Sequence, residues 1–349
     1  MVERSSTTGS DGTHTQQLRT RNDLTHCRNE QKHIIPDLEK YIEPRPQQKA
    51  GTMTPLLLRP PVTNSWADCR FLTCSVLPVR VACNLRCPFC FSKSSVSALK
   101  HDRADWRRLD VDGYYAYARD RGATRLVITG GGEPLLRPDD VVYLIGRGRR
   151  YFDEVACFTN GTYLTPELAG RLRDAGLSYV CYSRHAADDD ANRRLMGDAA
   201  PRVADFIDAA GSLKVRATCV MARGSVEDAA GVWAYIDALR PYGIAEFTFK
   251  HTYVAYPGSV FAGSAEDDWA RDNRVAFDPF GDEGEVVASL PWGPRIRRIR
   301  GVQACYYHEP TPEWERQNRL CRSINLLSDG AVYASLEESS SLLSRLTPS

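Results

Sequence analysis

The sequence predicts an α/β protein: a partial or open barrel of six β-strand and α-helix units, with a small C-terminal α+β module after it and a disordered tail before it. Three observations predict this. From about residue 74, short β-branched runs alternate with segments long enough to be crossover helices, the signature of a parallel sheet. Before about residue 60 the chain is rich in Ser, Thr, Gln, Arg and Asn and has little hydrophobic period, so it buries too little surface to order itself. Beyond about residue 255 the alternation stops and Pro, Gly, Trp and Tyr accumulate without a clear period.

The expected divisions are therefore a tail over 1–60, a barrel over 61–255 and a C-terminal cap over 256–349. Met53 stands just before the structured part begins, so translation of the natural protein is expected to start at either Met1 or Met53. The expected strands are Ser75–Val81, Arg125–Thr129, Glu154–Phe158, Tyr179–Tyr182, Val215–Met221 and Glu246–Lys250. Helix signals lie between them. Thr165-Pro166-Glu167 places a capping hydroxyl, a first-turn proline and an acid at the positive end of a helix. Asp329-Gly330 predicts a tight hairpin turn, and no internal repeat is present.

Composition excludes several classes. The 349 residues are 42% hydrophobic, enough for one large domain or a domain with an appendage. Lys and Arg number 45 against 44 Asp and Glu, so no net field draws the chain to nucleic acid or an anionic membrane. No apolar run reaches the roughly 20 residues of a spanning helix, and the N-terminus lacks a secretory core, so a cytoplasmic location is expected. The 11 cysteines are an odd number scattered through a long chain, whereas disulfide frameworks favour even counts in short secreted domains. They read as ligands, reactive thiols or core filler.

The chemistry concentrates after the first strand, in Cys83-Asn-Leu-Arg-Cys87-Pro-Phe-Cys90-Phe91. Three thiolates in one loop bind three irons of a 4Fe–4S cube and leave the fourth iron open to an exogenous ligand. A zinc site short of a fourth ligand and three unrelated core thiols are the alternatives. The next strand ends in Gly130-Gly131-Gly132-Glu133-Pro134, the third in Thr159-Asn160-Gly161 and the fourth in Ser183-Arg184-His185. Four polar turns thus share one rim, at the carboxyl ends of strands where such sheets bind ligands.

The cysteine spacing, with Phe89 just before the last cysteine, resembles the signature of the radical S-adenosylmethionine (radical SAM) superfamily, and the glycine turn is similar to that family's second mark. The resemblance implies a partial (β/α)6 radical SAM barrel. Its cofactors would be one 4Fe–4S cluster on Cys83, Cys87 and Cys90, and S-adenosylmethionine. Phe89, Gly131, Gly132, Glu133, Asn160, Ser183 and Arg184 become the expected cofactor contacts; Arg184 suits a bidentate grip on a carboxylate. Lys250, His251 and Tyr253 sit at or just past the sixth strand and are candidate catalytic groups. Cys219, inside the fifth strand, is a candidate hydrogen donor or a buried core thiol.

The run from Cys321 to Ser335 resembles the hairpin of the family's auxiliary-cluster extensions, called SPASM or Twitch domains. It is degenerate, since Ser335 stands where a cysteine usually closes the hairpin. Cys305 and Cys321 alone cannot hold a second four-iron cluster without help from Cys69 or Cys74, so one cluster is expected. The resemblance further implies an electron donor such as flavodoxin or ferredoxin, and hydrogen abstraction from a small metabolite. The favoured class is a sugar, aminosugar or nucleoside intermediate of natural-product (antibiotic) biosynthesis, with Tyr306, Tyr307, His308, Glu309 and Trp314 suited either to a binding cap or to filling the module's core. A peptide modifier relying on a partner chain is the alternative within the family, and a non-catalytic metal- or cluster-binding protein the alternative outside it.

Overall fold

A computed structural model describes residues 65–99 and 103–346 of the chain; the expected tail and Met53 lie outside them. Strand β1 (Arg70–Phe71) is a short outlier, and β2 (Cys74–Leu77) opens the main sheet. Helix α1 (Val111–Asp120) leads to β3 (Arg125–Ile128), α2 (Pro138–Gly148) to β4 (Glu154–Thr159), and α3 (Pro166–Asp174) to β5 (Tyr179–Ser183). Next come α4 (Asp189–Met196), α5 (Val203–Ala210), β6 (Val215–Met221), α6 (Ala229–Leu239) and β7 (Glu246–His251). Adjacent strands from β2 to β7 pair in parallel, giving the six-strand βα array that the alternation predicts. Thr165 caps α3 as expected, its hydroxyl accepting from the Leu168 N–H at 3.1 Å.

The first strand stops at Leu77 rather than at Val81. Pro78 has no N–H for the ladder, and Val81 takes a positive φ of 38°, so the chain leaves the sheet. The third, fourth and sixth strands instead run one residue further than expected, to Thr159, Ser183 and His251, and the second stops one short, at Ile128.

The residues after 255 add strands to both edges of this sheet. After α7 (Ala265–Asp272) come β8 (Glu285–Ser289), β9 (Arg295–Ile299) and β10 (Val302–Tyr307), of which β10 pairs in parallel with β7. The chain then passes through α8 (Pro312–Asn318) and crosses to the far edge. There β11 (Leu320–Cys321) joins β1, and β12 (Ile324–Leu327) joins β2 in parallel. Strands β13 (Ala331–Tyr333) and β14 (Leu342–Arg345) finish the sheet antiparallel. Gly330, with φ +83°, makes the β12–β13 turn, where a Cβ would meet the Leu346 carbonyl oxygen at 2.7 Å.

Strand side chains alternate between two faces. Val76, Leu126, Ile128, Val180, Tyr182, Cys219, Phe247 and Phe249 belong to the core beneath the helices. Val127, Ala156, Tyr179 and Cys181 fill the concave interior. The interior is plugged at the strands' amino ends by charge. The Arg216 guanidinium lies 3.5 Å from the centre of the Tyr179 ring and pairs with Glu246, and Arg125 pairs with Glu154 at 3.7 Å. The carboxyl ends form the opposite rim.

Candidate functional site

Leaving β2, the chain carries the three cysteines across the carboxyl rim. Cys83 is exposed, and Cys87 and Cys90 are half-buried. Two donors reach the Cys83 sulfur: the Leu85 N–H at 3.4 Å and the Asn160 Nδ2 at 3.6 Å. Loop and α4 are joined where the Arg86 N–H donates to the Met196 carbonyl at 2.8 Å, and Leu85, Met196 and Ala200 pack together with Cys87 against them. Phe89 is buried, edge-on to His185 at 4.8 Å and tilted against Trp269 at 5.7 Å. Burial raises all three thiols, Cys87 to about 12 with Cys90 and Cys83 adding to it, so iron binding must displace the protons.

These thiols fit an iron–sulfur cube by the chemistry of the set. They are soft sulfur donors on one partly open loop, with N–H groups already aimed at one sulfur, an arrangement that tunes and stabilises cluster ligands. Among the described residues no three His, Cys, Asp or Glu side chains converge as ligands of a single ion do.

The glycine turn is locked to that loop. A Cβ on Gly131 would overlap the Val79 carbonyl oxygen, and one on Gly132 the Ala82 carbonyl oxygen. Gly131 also has a φ of +76°, and its N–H donates to the Ser92 hydroxyl at 3.1 Å. Glu133 is 2% exposed and already satisfied. Its carboxylate accepts from the Thr159 hydroxyl at 2.7 Å, the Asn160 N–H at 2.8 Å and the Leu135 N–H at 2.9 Å. Burial raises this carboxyl and the three donors oppose the rise. Glu133 thus ties the end of β4 to the glycine turn, and the turn holds the cysteine loop.

Ser183 ends β5 half-buried on the same face as Tyr179 and Cys181. The reading of Arg184 as a rim group is corrected. Its side chain is 0% exposed, ion-paired to Asp189 at 2.8 Å and donating to the Ala187 carbonyl at 2.9 Å. Strand alternation is the cause, since Val180 and Tyr182 face the helices and Arg184 continues their series. Arg184→Met is therefore expected to lower unfolding stability by about 1–3 kcal/mol, the cost of breaking a buried polar pair. Denaturant titration checks this, and unchanged stability would refute it.

His185 was legible only as part of its turn, and the structure makes it a wall. It is fully enclosed, and burial, helped by the Lys250 and Arg184 cations, pushes it down to about 3. It is neutral, and its Nδ1 accepts the Val220 N–H at 3.0 Å.

The candidate catalytic residues separate. Lys250 lies on the interior side of β7, opposite Phe247 and Phe249, with its Nζ 6.0 Å from the centre of the Phe91 ring. Tyr253 packs edge-on against Phe91 at 4.9 Å. Both therefore border the residue that follows Cys90. His251 points the other way, to the Tyr306 hydroxyl at 3.2 Å and beside His308. Cys219 is in the helix-facing core at 0% exposure, and burial raises its thiol. The structure does not bring it to the rim. Cys305 and Cys321 are not brought together either: Cys321 shares a hydrogen bond with Cys69, whereas Cys305 pairs across strands with Ile296 and Thr248.

Four charged residues, Arg322, Glu309, Glu315 and Glu337, gather between the end of β10 and the start of β12. Arg322 ion-pairs with Glu309 at 3.6 Å and with Glu337, and its N–H donates to Glu315 at 2.8 Å. Ser335, in the position of the missing cysteine, donates to Glu337 at 2.9 Å. Burial, with like charge from Glu337, pushes the Glu315 carboxyl up to about 8. A carboxyl raised on folding stabilises the fold below its unfolded value of about 4.3, and that contribution drains away as pH climbs toward 8. Glu315→Gln should flatten the fall of Tm between pH 5 and pH 8, and an unchanged slope would contradict the assignment.

Known proteins share part of this sequence. The sequence profile of the Radical SAM superfamily matches residues 77–225. A probable GTP 3',8-cyclase of Saccharolobus solfataricus is 31% identical over 183 residues, 48% of this chain and 58% of that protein. A GTP 3',8-cyclase of Xanthomonas axonopodis pv. citri is 33% identical over 163 residues, 44% of this chain and 47% of that one. The chain thus spans about half the length of the curated relatives it matches. Among solved structures, Streptococcus suis SuiB bound to its precursor peptide SuiA has a TM-score of 0.49 at 16% identity, covering 77% of this chain and 60% of that chain. No helix among the described residues is long and apolar enough to cross a membrane.

Proposed function

We propose that the protein, whose residues 77–225 match the Radical SAM superfamily, is an enzyme holding one 4Fe–4S cluster on Cys83, Cys87 and Cys90, with S-adenosylmethionine beside it, and acting on a small polar metabolite. The observation that carries this reading is the cysteine loop itself: three thiols at the carboxyl rim, fixed by Asn160 and by a glycine turn that admits no Cβ. When bound, cluster and cofactor together supply a 5'-deoxyadenosyl radical that abstracts hydrogen from the substrate.

The chain's own residues bind, orient and seal. Gly131 and Gly132 keep the loop close to the sheet, and Phe89, backed by His185 and Trp269, offers an apolar wall for the cofactor. Asn160 and Ser183 supply polar contacts on the same rim. Lys250 and Tyr253 face the substrate from the Phe91 side, and the charged plug below keeps water from entering through the far end of the interior. Exposed Cys83 gives a flavodoxin- or ferredoxin-like donor an edge through which to deliver its electron. Sugars, aminosugars and nucleosides of natural-product pathways are the substrate class this polar, aromatic rim suits best.

Anaerobic reconstitution tests the proposal. The protein is expected to bind about four irons per chain, as one such cube requires, and to release 5'-deoxyadenosine from S-adenosylmethionine under reductant. Iron below one per chain, or no nucleoside with the cluster in place, would end it.

A further inference from the structure

In the strand order, β10 and β12 stand far apart, with β7, β6, β5, β4, β3 and β2 between them. The segment that follows β10 and the segment that precedes β12 nevertheless meet through side chains. Glu309, just past β10, ion-pairs with Lys250 of β7 at 3.2 Å and with Arg322, just before β12, at 3.6 Å. Arg322 also reaches the Tyr307 hydroxyl at 3.5 Å, and its guanidinium lies 5.5 Å from the centre of the Phe91 ring. One carboxylate therefore clasps the two ends of the curved array and, at the same time, holds a lysine beside the residue that follows the last cluster cysteine.

The burial pattern shows what the clasp leaves available. The Glu309 side chain is 5% exposed and its Oε2 has no hydrogen-bond partner, and the buried Tyr253 hydroxyl has none either. Lys250 is more open, with a side chain 25% exposed. An ammonium has three N–H donors, and Glu309 uses one of them.

Charge decides what those donors can receive. Lys250 and Arg322 are matched by Glu309 and Glu337. Burial alone would raise the Glu309 carboxyl, but the two cations outweigh it and hold it at about 2, while Glu315, at about 8, is protonated at neutral pH. This cluster of two cations and two carboxylates carries no surplus positive charge with which to hold a polyphosphate.

We infer that Glu309, locked from behind by Arg322, is a positioning residue that aims the Lys250 ammonium into the barrel mouth as a hydrogen-bond donor to an uncharged oxygen of the substrate, such as a sugar hydroxyl, ring oxygen or carbonyl. This rests on the radical SAM reading and sharpens its substrate class toward polyhydroxylated molecules without phosphate at this end.

Two measurements on the anaerobic, cluster-loaded protein test it. The first is the rate of reductive methylation of Lys250 at pH 8, followed by peptide mass spectrometry. Glu309→Gln should raise it about tenfold, the effect of losing one charge-assisted hydrogen bond on the amine that now holds it at 3.2 Å, with iron content unchanged. An unaltered rate means that Glu309 does not hold the ammonium and overturns the inference. The second offers the reduced protein, with S-adenosylmethionine, a small-molecule extract of the source cells split on an anion-exchange resin. The unretained fraction should stimulate 5'-deoxyadenosine release, and Lys250→Met should lose most of that stimulation. Stimulation confined to the retained, anionic fraction, an equal response from Lys250→Met, or no response to either fraction overturns the inference while basal cofactor cleavage leaves the radical SAM reading standing. Absence of any nucleoside release defeats that reading itself.

Discussion

Replacing Cys83, Cys87 and Cys90 together by alanine should reduce reconstituted iron from about four per chain, the content of a single cube, to background, and 5'-deoxyadenosine release with it. The expected loss is essentially complete, because on the proposed reading these thiolates are the cluster's covalent hold and a cube cannot be kept by hydrogen bonds. The fold should survive. None of the three belongs to a core cluster: Cys83 is exposed, Cys87 only flanks the Leu85 group, and the strands on either side are fixed by β2–β3 pairing. Circular dichroism of the variant should therefore match that of the unaltered chain. Retention of iron and nucleoside release by the triple variant would remove the cysteine loop from the chemistry altogether.

The second large effect is expected at the glycine turn. Gly131→Ala forces an L side chain to a φ of +76° and drives its Cβ into the Val79 carbonyl oxygen. The backbone alone costs about 1–2 kcal/mol in that region, and the overlap cannot be relieved by a rotamer because the obstacle is main chain. Either the turn or the cysteine loop must move. Gly132→Ala repeats the collision against the Ala82 carbonyl, one residue before Cys83, and also strains the bond from the Glu133 N–H to that carbonyl at 2.8 Å. Both variants should incorporate iron poorly and bind S-adenosylmethionine at least tenfold more weakly, a loss of about 1.4 kcal/mol, read by iron analysis and equilibrium dialysis. Gly146→Ala, in the last turn of α2 with open space around its Cβ, is the control and should leave both unchanged. Normal cofactor affinity in Gly131→Ala would mean that the turn is an ordinary connection.

Much of the site was legible because its signals are local. Three cysteines within eight residues, a run of three glycines ahead of an acid, and Thr165 before a first-turn proline each depend on neighbours in the chain. The departures have physical reasons too. Arg184 looked like a ligand group because it ends a strand at the correct rim, but strand alternation turned it to the helix side and Asp189 received it. His251 and Lys250 are adjacent in sequence and face opposite ways for the same reason. Glu133 is among the expected cofactor contacts, and in the structure its oxygens accept from Thr159, Asn160 and Leu135.

From the sequence alone come the α/β class, the six parallel βα units and the three-cysteine loop that follows the first of them, because hydrophobic alternation and short-range motif spacing are properties of neighbouring residues. Tertiary structure alone decided that β10 and β12 extend opposite edges of that sheet, and that Lys250, Glu309, Arg322 and Glu337 meet at its mouth. Lys250 and Glu309 are 59 residues apart, and the chain between Glu309 and Arg322 crosses from one edge to the other. A pairing of that kind is set by how the sheet curves and by where buried charge finds its partner, and neither leaves a period or a spacing in the chain.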